Sequence, residues 1–496
     1  MVLSNEDTNM TEQIVIVGAG PVGLTLAIEL ARYGIPLRIL DSAKASTHYS
    51  KALAIWPRTI ELLDRAGIGS ALVNAGICAP AVRIMSPESS IGRIDFTHLE
   101  SRYQFALLLP QSDTERLLET HLGDLGVKVD RGTTLKAFEE TDEGVSCTIV
   151  GPDGVEQIIQ ASWLIGCDGA HSIVRNSLGL SFDGDTMGQS FVLADVQVRG
   201  LNVPPTEIGV YWSGEGTLMF FPIGHDRYRL IADVGETPRH DPTLAEVQAI
   251  VDARTPGGIT VTDPVWLSGF TINERMVPQY RTGRVFVAGD AAHIHSPAGG
   301  QGMNTGMQDA INLAWKLALV VRSKARVSLL DSYHDERSAV AHHVISASGK
   351  LTRVGLMKGH LEQTIRDFVA HHLLGHPWVQ RQATEQFSEL TIGYPNSPLN
   401  RGHVPHAVET AGERYETGTP FGAGPEPRYA LCATDTEEAQ AFIARYADLV
   451  EPEPREGATD GLLRLIRPDG FVAAIARQGD WSPLDDCLSS ISKTGS

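Results

Sequence analysis

The run from Ile14 to Asp41 constrains the fold of this chain more than any other stretch. Ile14-Val15-Ile16-Val17 reads as a compact β-branched strand and leads straight into Gly18-Ala19-Gly20-Pro21-Val22-Gly23. An amphipathic helix from Leu24 to Tyr33 follows, ended by Gly34, and a second strand from Pro36 to Leu40 finishes at Asp41. Strand, GxGxxG, helix, strand and acid in this order form the dinucleotide fingerprint in its required context. The glycines permit a tight turn and close approach of a pyrophosphate, the helix N-terminus attracts its charge, and Asp41 can hydrogen-bond a ribose. The alternative is a glycine-rich turn that only packs helix on strand.

Two later stretches repeat parts of this design. Arg284 to Ala288 is a short apolar run bounded by glycines, which predicts a buried strand delivering Gly289-Asp290. A loop with Pro297, Gly299, Gly300 and Gly302 comes next, then a helix with apolar Ile311, Ala314, Trp315, Ala318 and Leu319 on one stripe. Trp163-Leu164-Ile165 likewise runs into Gly166-Cys167-Asp168-Gly169, with a helix from Ile173. Asp168 either borders the same ligand as Asp290 or caps its helix.

The rest of the chain fills in around these motifs. Pro57 opens a helix. Ser112 or Asp113 is expected to cap another, with Gln111, by residue type an ordinary surface amide, at its mouth. From Gln189 to about Phe270 alternating strands predict an antiparallel sheet with one covered face. Tyr211, Trp212, Met219, Phe220 and Phe221 there line a pocket or belong to the core. Helices continue to about Leu390, a Pro/Gly-rich connector runs from Tyr394 to about Pro427, and Arg428 to Ser496 reads as a small α/β unit. The expected fold class is α/β, Rossmann-like, with an inserted antiparallel β-sheet domain. Its segments are 12–180 and 276–395 for the cofactor, 181–275 for the substrate and 396–496 for linker and tail.

Composition excludes several functions. With 496 residues the chain has room for about two to four domains. A net charge of -19 argues against binding nucleic acid or an anionic membrane through bulk electrostatics. The five cysteines are scattered and never form CxxC, which points to a reducing compartment without a disulfide framework or thiolate zinc site. The N-terminus is polar and acidic, and no run approaches the ~18 apolar residues of a membrane span. A cytoplasmic protein is expected. His293 and His295 sit two apart near Asp290, but a catalytic zinc needs about three protein ligands and no third is evident, so no metal is expected. His342-His343 and His371-His372 lie on expected helices as surface or core residues.

GAGPVG with Asp41, CDGAHSIVR from Cys167 to Arg175, and GDAAHIHSPAGGQGMNTGMQDA from Gly289 together resemble the FAD-dependent aromatic hydroxylases of the para-hydroxybenzoate hydroxylase fold. Length and tail resemble the phenol hydroxylase and polyketide hydroxylase branch, with its C-terminal thioredoxin-like domain. The resemblance implies that Gly18, Gly20 and Gly23 hold the FAD pyrophosphate, that Asp41 takes the adenosine ribose, and that Gln111 approaches the flavin side. It implies Asp290 at the ribityl chain and the backbone amides of Gly302, Met303 and Asn304 at the flavin's pyrimidine edge. Asp168 and Arg175 fall in the motif tied to both FAD and the nicotinamide donor, NADPH or NADH.

The implied oxidoreductase is a single-component monooxygenase: NAD(P)H reduces FAD, O2 forms a flavin hydroperoxide, and a phenolic or polycyclic aromatic substrate is hydroxylated beside the Pro297 loop. Baeyer–Villiger insertion, epoxidation, oxidase chemistry and a non-catalytic FAD-binding protein are the alternatives. Lys51 stands where the family often has Arg and cannot give a planar bidentate contact. The tail lacks paired cysteines, which makes it redox-silent. The expected partners are the aromatic substrate and O2, with a homodimer as the assembly left open.

Overall fold

Ile14–Val17 is buried along its whole length because it is a middle strand, paired in parallel with Trp163–Gly166 on one side and Leu37–Asp41 on the other. A strand covered on both faces reads as a continuous apolar run rather than an alternation. The computed structural model describes residues 13–46, 52–236, 240–297, 299–355, 376–416, 418–457 and 460–493, so Lys51, His371 and His372 lie outside the described residues. In the six-stranded sheet the order is Arg281–Thr282, Val285–Val287, Trp163–Gly166, Ile14–Val17, Leu37–Asp41, Val129–Arg131. Register sets Val17 beside Gly166 and Gly166 beside Val287, so the strands of all three motifs end side by side. Ligands of open parallel sheets bind beyond such carboxyl ends.

The helix of the fingerprint spans Pro21–Arg32 and packs against the long helix Gly302–Val321. A single apolar stripe was expected on the long helix. Instead, every residue from Asn304 to Val320 is buried, including Gln308, Asp309, Asn312 and Lys316. The reason lies in the tail, which covers a second face: Trp315 packs edge-on against Tyr429, and its indole N–H donates to Asp469 at 3.1 Å.

The second sheet has eight strands, in the order His293–Ile294, Thr260–Met276, Asp183–Arg199, Arg227–Gly235, Gly216–Gly224, Ile208–Ser213, Ala81–Met85, Ser90–Asp95. Its last two strands come from the first cofactor segment, and Ala81–Met85 joins Ile208–Ser213 in parallel. The region also holds a helix that an all-strand reading misses, Leu244–Arg254, started by a reciprocal cap between Thr243 and Glu246. This helix covers one face of the sheet, where Tyr211 and Phe220 are core. Alternation sends Trp212, Met219 and Phe221 to the other face, and Trp212 and Phe221 pack there with Trp56 and Phe96. The five aromatic and apolar candidates for a pocket wall therefore divide between two faces.

The tail carries a three-stranded antiparallel sheet, Ala430–Cys432, Leu462–Ile466 and Val472–Arg477, with helices Glu437–Arg445 and Ser482–Ile491. Among the described residues no helix is long and apolar enough to cross a membrane.

Candidate cofactor and active site

The fingerprint glycines do different jobs. A Cβ on Gly18, at φ +100°, would overlap the Cys167 carbonyl, and one on Gly23 would overlap the Gly18 carbonyl. Both are needed for packing. Among the described residues beyond its chain neighbours, a Cβ at Gly20 would meet nothing nearer than Glu115 Oε1 at 4.0 Å. Gly20 thus borders open space at the head of Pro21–Arg32, a helix with neither a side-chain cap nor an acid in its first turn. Unsatisfied first-turn N–H groups facing open space make an anion seat.

Asp41 is held at the end of its strand, its Oδ2 accepting from the Ala19 N–H at 2.7 Å and its Oδ1 from the Ala43 N–H at 2.8 Å. Arg131, on the neighbouring strand, brings Nη1 to 3.6 Å from Asp41 Oδ2 and bonds Glu119 at 2.5 Å. Arg131 and Glu119 escaped the sequence reading. The pairing of Asp41 with Arg131 is non-local, and nothing in the local pattern announces it.

Gln111 is the first residue of helix Gln111–Asp124, with Pro110 as its N-cap. Neither Ser112 nor Asp113 caps it, because the Pro110 carbonyl already receives the Asp113 and Thr114 N–H groups and puts both residues inside the first turn. The Gln111 N–H donates to Ala52 O at 3.2 Å, and its Nε2 donates to Glu115 Oε1 at 2.7 Å.

Ser172 is the N-cap of helix Ile173–Ser177, its Oγ accepting from the Arg175 N–H at 2.9 Å, and Asp168 reinforces it. Oδ1 accepts from Ser172 Oγ at 2.5 Å, and Oδ2 accepts from the Ile173 and Val174 N–H groups at 2.7 and 3.2 Å. Burial pushes its carboxyl up in spite of these donors. Arg175 ties this motif to the next: it donates to Ala291 O at 3.2 Å and to Ala170 O at 2.7 Å while lying over the Phe182 ring.

Beneath the Gly289-Asp290 turn lies a buried carboxylate, Asp309. Its Oδ2 accepts from the Gly289 N–H at 3.0 Å and faces His293 Nε2 at 2.8 Å, while Arg337 Nε reaches Oδ1 at 2.6 Å. Burial alone would raise this carboxyl, but Arg337 and His293 outweigh it and hold it below the usual range. His293 therefore anchors the turn, stacked on Tyr280. His295 turns to another partner, with Nδ1 2.7 Å from Ser296 O, and burial beside His293 lowers its pKa to about 4. Asp309 and Arg337 were missed in the sequence, although an acid at the seventh position after Gly302 falls on the same helix face. Asp290 itself is exposed at the strand end.

Gly302, Met303 and Asn304 form the first turn of the long helix, which has no side-chain cap and no acid there. The Asn304 side chain accepts from the Trp56 N–H at 2.8 Å and donates to Ala54 O and Gly300 O, both at 2.9 Å. It clamps the Ala54–Ile55 strand and the glycine loop across the helix mouth, leaving the first-turn amides without intrahelical acceptors. Trp56 Nε1 adds a bond to Gly299 O at 2.8 Å, and Pro297 stands exposed at the loop tip. Val22 lies against both Gly289 and Gly306, which brings the fingerprint, the Gly-Asp turn and the second helix mouth together.

This arrangement offers two uncapped helix mouths, an acid at each of two strand ends and open space at Gly20, which suits an elongated cofactor with a diphosphate and a carbonyl-bearing ring. The profile of the FAD binding domain family matches residues 11–348. An uncharacterized aromatic compound monooxygenase of Bacillus subtilis (strain 168), YhjG, is 36% identical over 484 residues, covering 94% of this chain and 94% of that protein. The 12-dehydrotetracycline 5-monooxygenase/anhydrotetracycline 6-monooxygenase of Streptomyces rimosus is 34% identical over 490 residues, covering 93% and 95%. Among solved structures, the OxyS anhydrotetracycline hydroxylase from Streptomyces rimosus superimposes with a TM-score of 0.79 at 31% identity, covering 98% of this chain and 99% of that one. Motif, fold and relatives agree, and the chain belongs to the FAD-dependent aromatic hydroxylases.

Proposed function

We propose that this flavin monooxygenase hydroxylates a fused-ring or phenolic aromatic compound, with NADPH or NADH as the transient electron donor. The observation that carries the reading is the opening at Gly20, where among the described residues no side chain comes nearer than Glu115 and a diphosphate can approach the helix mouth. In this reading Gly18, Gly20 and Gly23 shape the diphosphate seat, Asp41 takes the adenosine ribose, and Asp290 takes the ribityl chain. Gln111 lies on the flavin side. The amides of Gly302, Met303 and Asn304 hold negative charge at the pyrimidine edge, aided by the helix dipole. Asp168 and Arg175 brace the central strand end against the Gly-Asp turn. FAD supplies the electron transfer and oxygen activation that no side chain can provide.

The protein's task is to place the substrate and keep water out. The face of the eight-stranded sheet away from helix Leu244–Arg254 suits it, with Phe191 stacked on Phe270 beside Trp266, and Trp212 and Phe221 in a second aromatic cluster on the same face. Fused aromatic rings match such a wall by area and by stacking. The tetracycline-oxidising relative points to the same substrate class. Pro297 and the glycines after it form the loop beside the reacting ring. The free, largely buried cysteines accord with a cytoplasmic enzyme.

The test is the absorbance spectrum of the purified protein, followed by NADH and NADPH oxidation with a panel of phenols and fused-ring aromatics. A flavin spectrum, substrate-stimulated nicotinamide oxidation and a product heavier by one oxygen are expected. Bound flavin that no panel member brings to turn over nicotinamide would overturn the hydroxylase reading.

A further inference from the structure

Among the described residues beyond its chain neighbours, Glu115 has the side chain that comes nearest to Gly20. A Cβ at Gly20 would lie 4.0 Å from Glu115 Oε1, while Gln111 Nε2 holds the same oxygen at 2.7 Å. Glu115 is buried, and Asp41 at its strand end and Glu119 one helical turn on stand around it, with Arg131 as the facing cation. An ionised carboxylate is the wrong charge in this position: it faces two acids, and a diphosphate brings further negative charge to the same opening.

We propose that Glu115 is a cofactor-contacting residue, which holds the FAD diphosphate as a neutral carboxylic acid, Oε1 accepting from Gln111 and the second oxygen carrying the proton that is donated to a phosphate oxygen. The inference rests on the chain's binding of FAD and goes beyond it by giving a role to a residue outside the glycine fingerprint. Burial already pushes the Glu115 carboxyl up, opposed by the Gln111 hydrogen bond and by Arg131 and reinforced by Asp41 and Glu119. Adding the diphosphate moves it further in the same direction. FAD binding therefore takes up a proton from solvent wherever Glu115 is ionised in the free protein and neutral in the complex. Across that window the Kd rises about tenfold per pH unit.

The measurement is calorimetric titration of FAD into the full-length protein freed of FAD, at several pH values and in buffers of different ionisation enthalpy. Uptake of about one proton per FAD is expected within the window. Glu115→Gln, which donates an N–H without a titrating proton, should bind FAD with no uptake and with a pH-independent Kd. Equal uptake in the two proteins, or none in the wild type at any pH, overturns the proposal. Failure of the wild type to bind FAD at all would instead sink the flavin assignment. Should Glu115→Gln not fold, infrared difference spectra of the wild type decide the matter: a protonated-carboxyl band gained on FAD addition supports the proposal, and its absence overturns it.

Discussion

Glu389 shows how one residue can set a pH dependence of the whole fold. It is a non-glycine residue at φ +61°, fully buried, at the end of helix Pro377–Ser388. Gln308 Nε2 donates to it at 2.5 Å. Burial raises its pKa to about 8, against the pull of Arg337 and of the Gln308 and Thr59 hydrogen bonds. The left-handed conformation costs roughly 1 kcal/mol and is retained because the neighbouring packing fixes it, with Phe387 stacked on Trp56 beside the glycine loop. Between the ordinary carboxyl value of 4.5 and about 8 the folded protein keeps a proton that the unfolded chain loses. Stability therefore falls as pH rises through that window, by at most about 1.4 kcal/mol per pH unit, and levels off above it. Glu389→Gln keeps the size and hydrogen bonding and should flatten this slope. Urea unfolding midpoints across the window check it, and an unchanged slope in the variant would exclude Glu389 as its source.

At the scale of elements, the fingerprint turn separates folding from cofactor binding. Gly20→Ala places its methyl in open space and should leave the FAD-free protein's melting temperature nearly unchanged while weakening FAD binding. Gly23→Ala drives a methyl into the Gly18 carbonyl and should destabilise the protein with or without FAD. Melting curves and FAD titrations of both variants test the split, and equal melting losses would refute it. The same elements show what could be read in advance. The strands ending at Val17, Gly166 and Val287 were legible because fully buried parallel strands are short apolar runs closed by glycine, with an acid following in the last two. The helix Leu244–Arg254 was not, since its apolar residues form no clear stripe and its capping box lies amid strand-like sequence. The Asp309 cluster was equally hidden: its partners His293 and Arg337 come from a strand and a separate helix, and only the fold brings the three together.

For the whole molecule, the tail is locked onto the cofactor-binding unit by buried charge rather than by apolar area alone. Its turn at Arg467–Gly470 reaches into the core, where Arg467 meets Glu336 at 2.6 and 2.9 Å and Asp469 at 2.7 Å. Lys316 of the long helix joins Glu336 at 2.7 Å. On the far side the Asp469 and Pro468 carbonyls accept from Arg58 and Arg65, and Arg65 in turn pairs with Glu29 of the fingerprint helix at 3.1 Å. Against burial, Arg467 and Lys316 hold the Glu336 carboxyl far below its ordinary range. Such a network gains little over a well-packed apolar core, but removing one member strands the others without water or a counter-charge. Arg467→Met leaves Glu336 with Lys316 as its one cation, beside the Asn312 and Ser397 hydrogen bonds, and Asp469 without its main cation, a loss of about 3–5 kcal/mol. Because the stranded groups belong to both units, the expected result is one calorimetric transition moved to lower temperature, with flavin released in the same step. A separate early melting of the tail, with the flavin transition unmoved, would mean that the two units fold independently and that this cluster does not couple them.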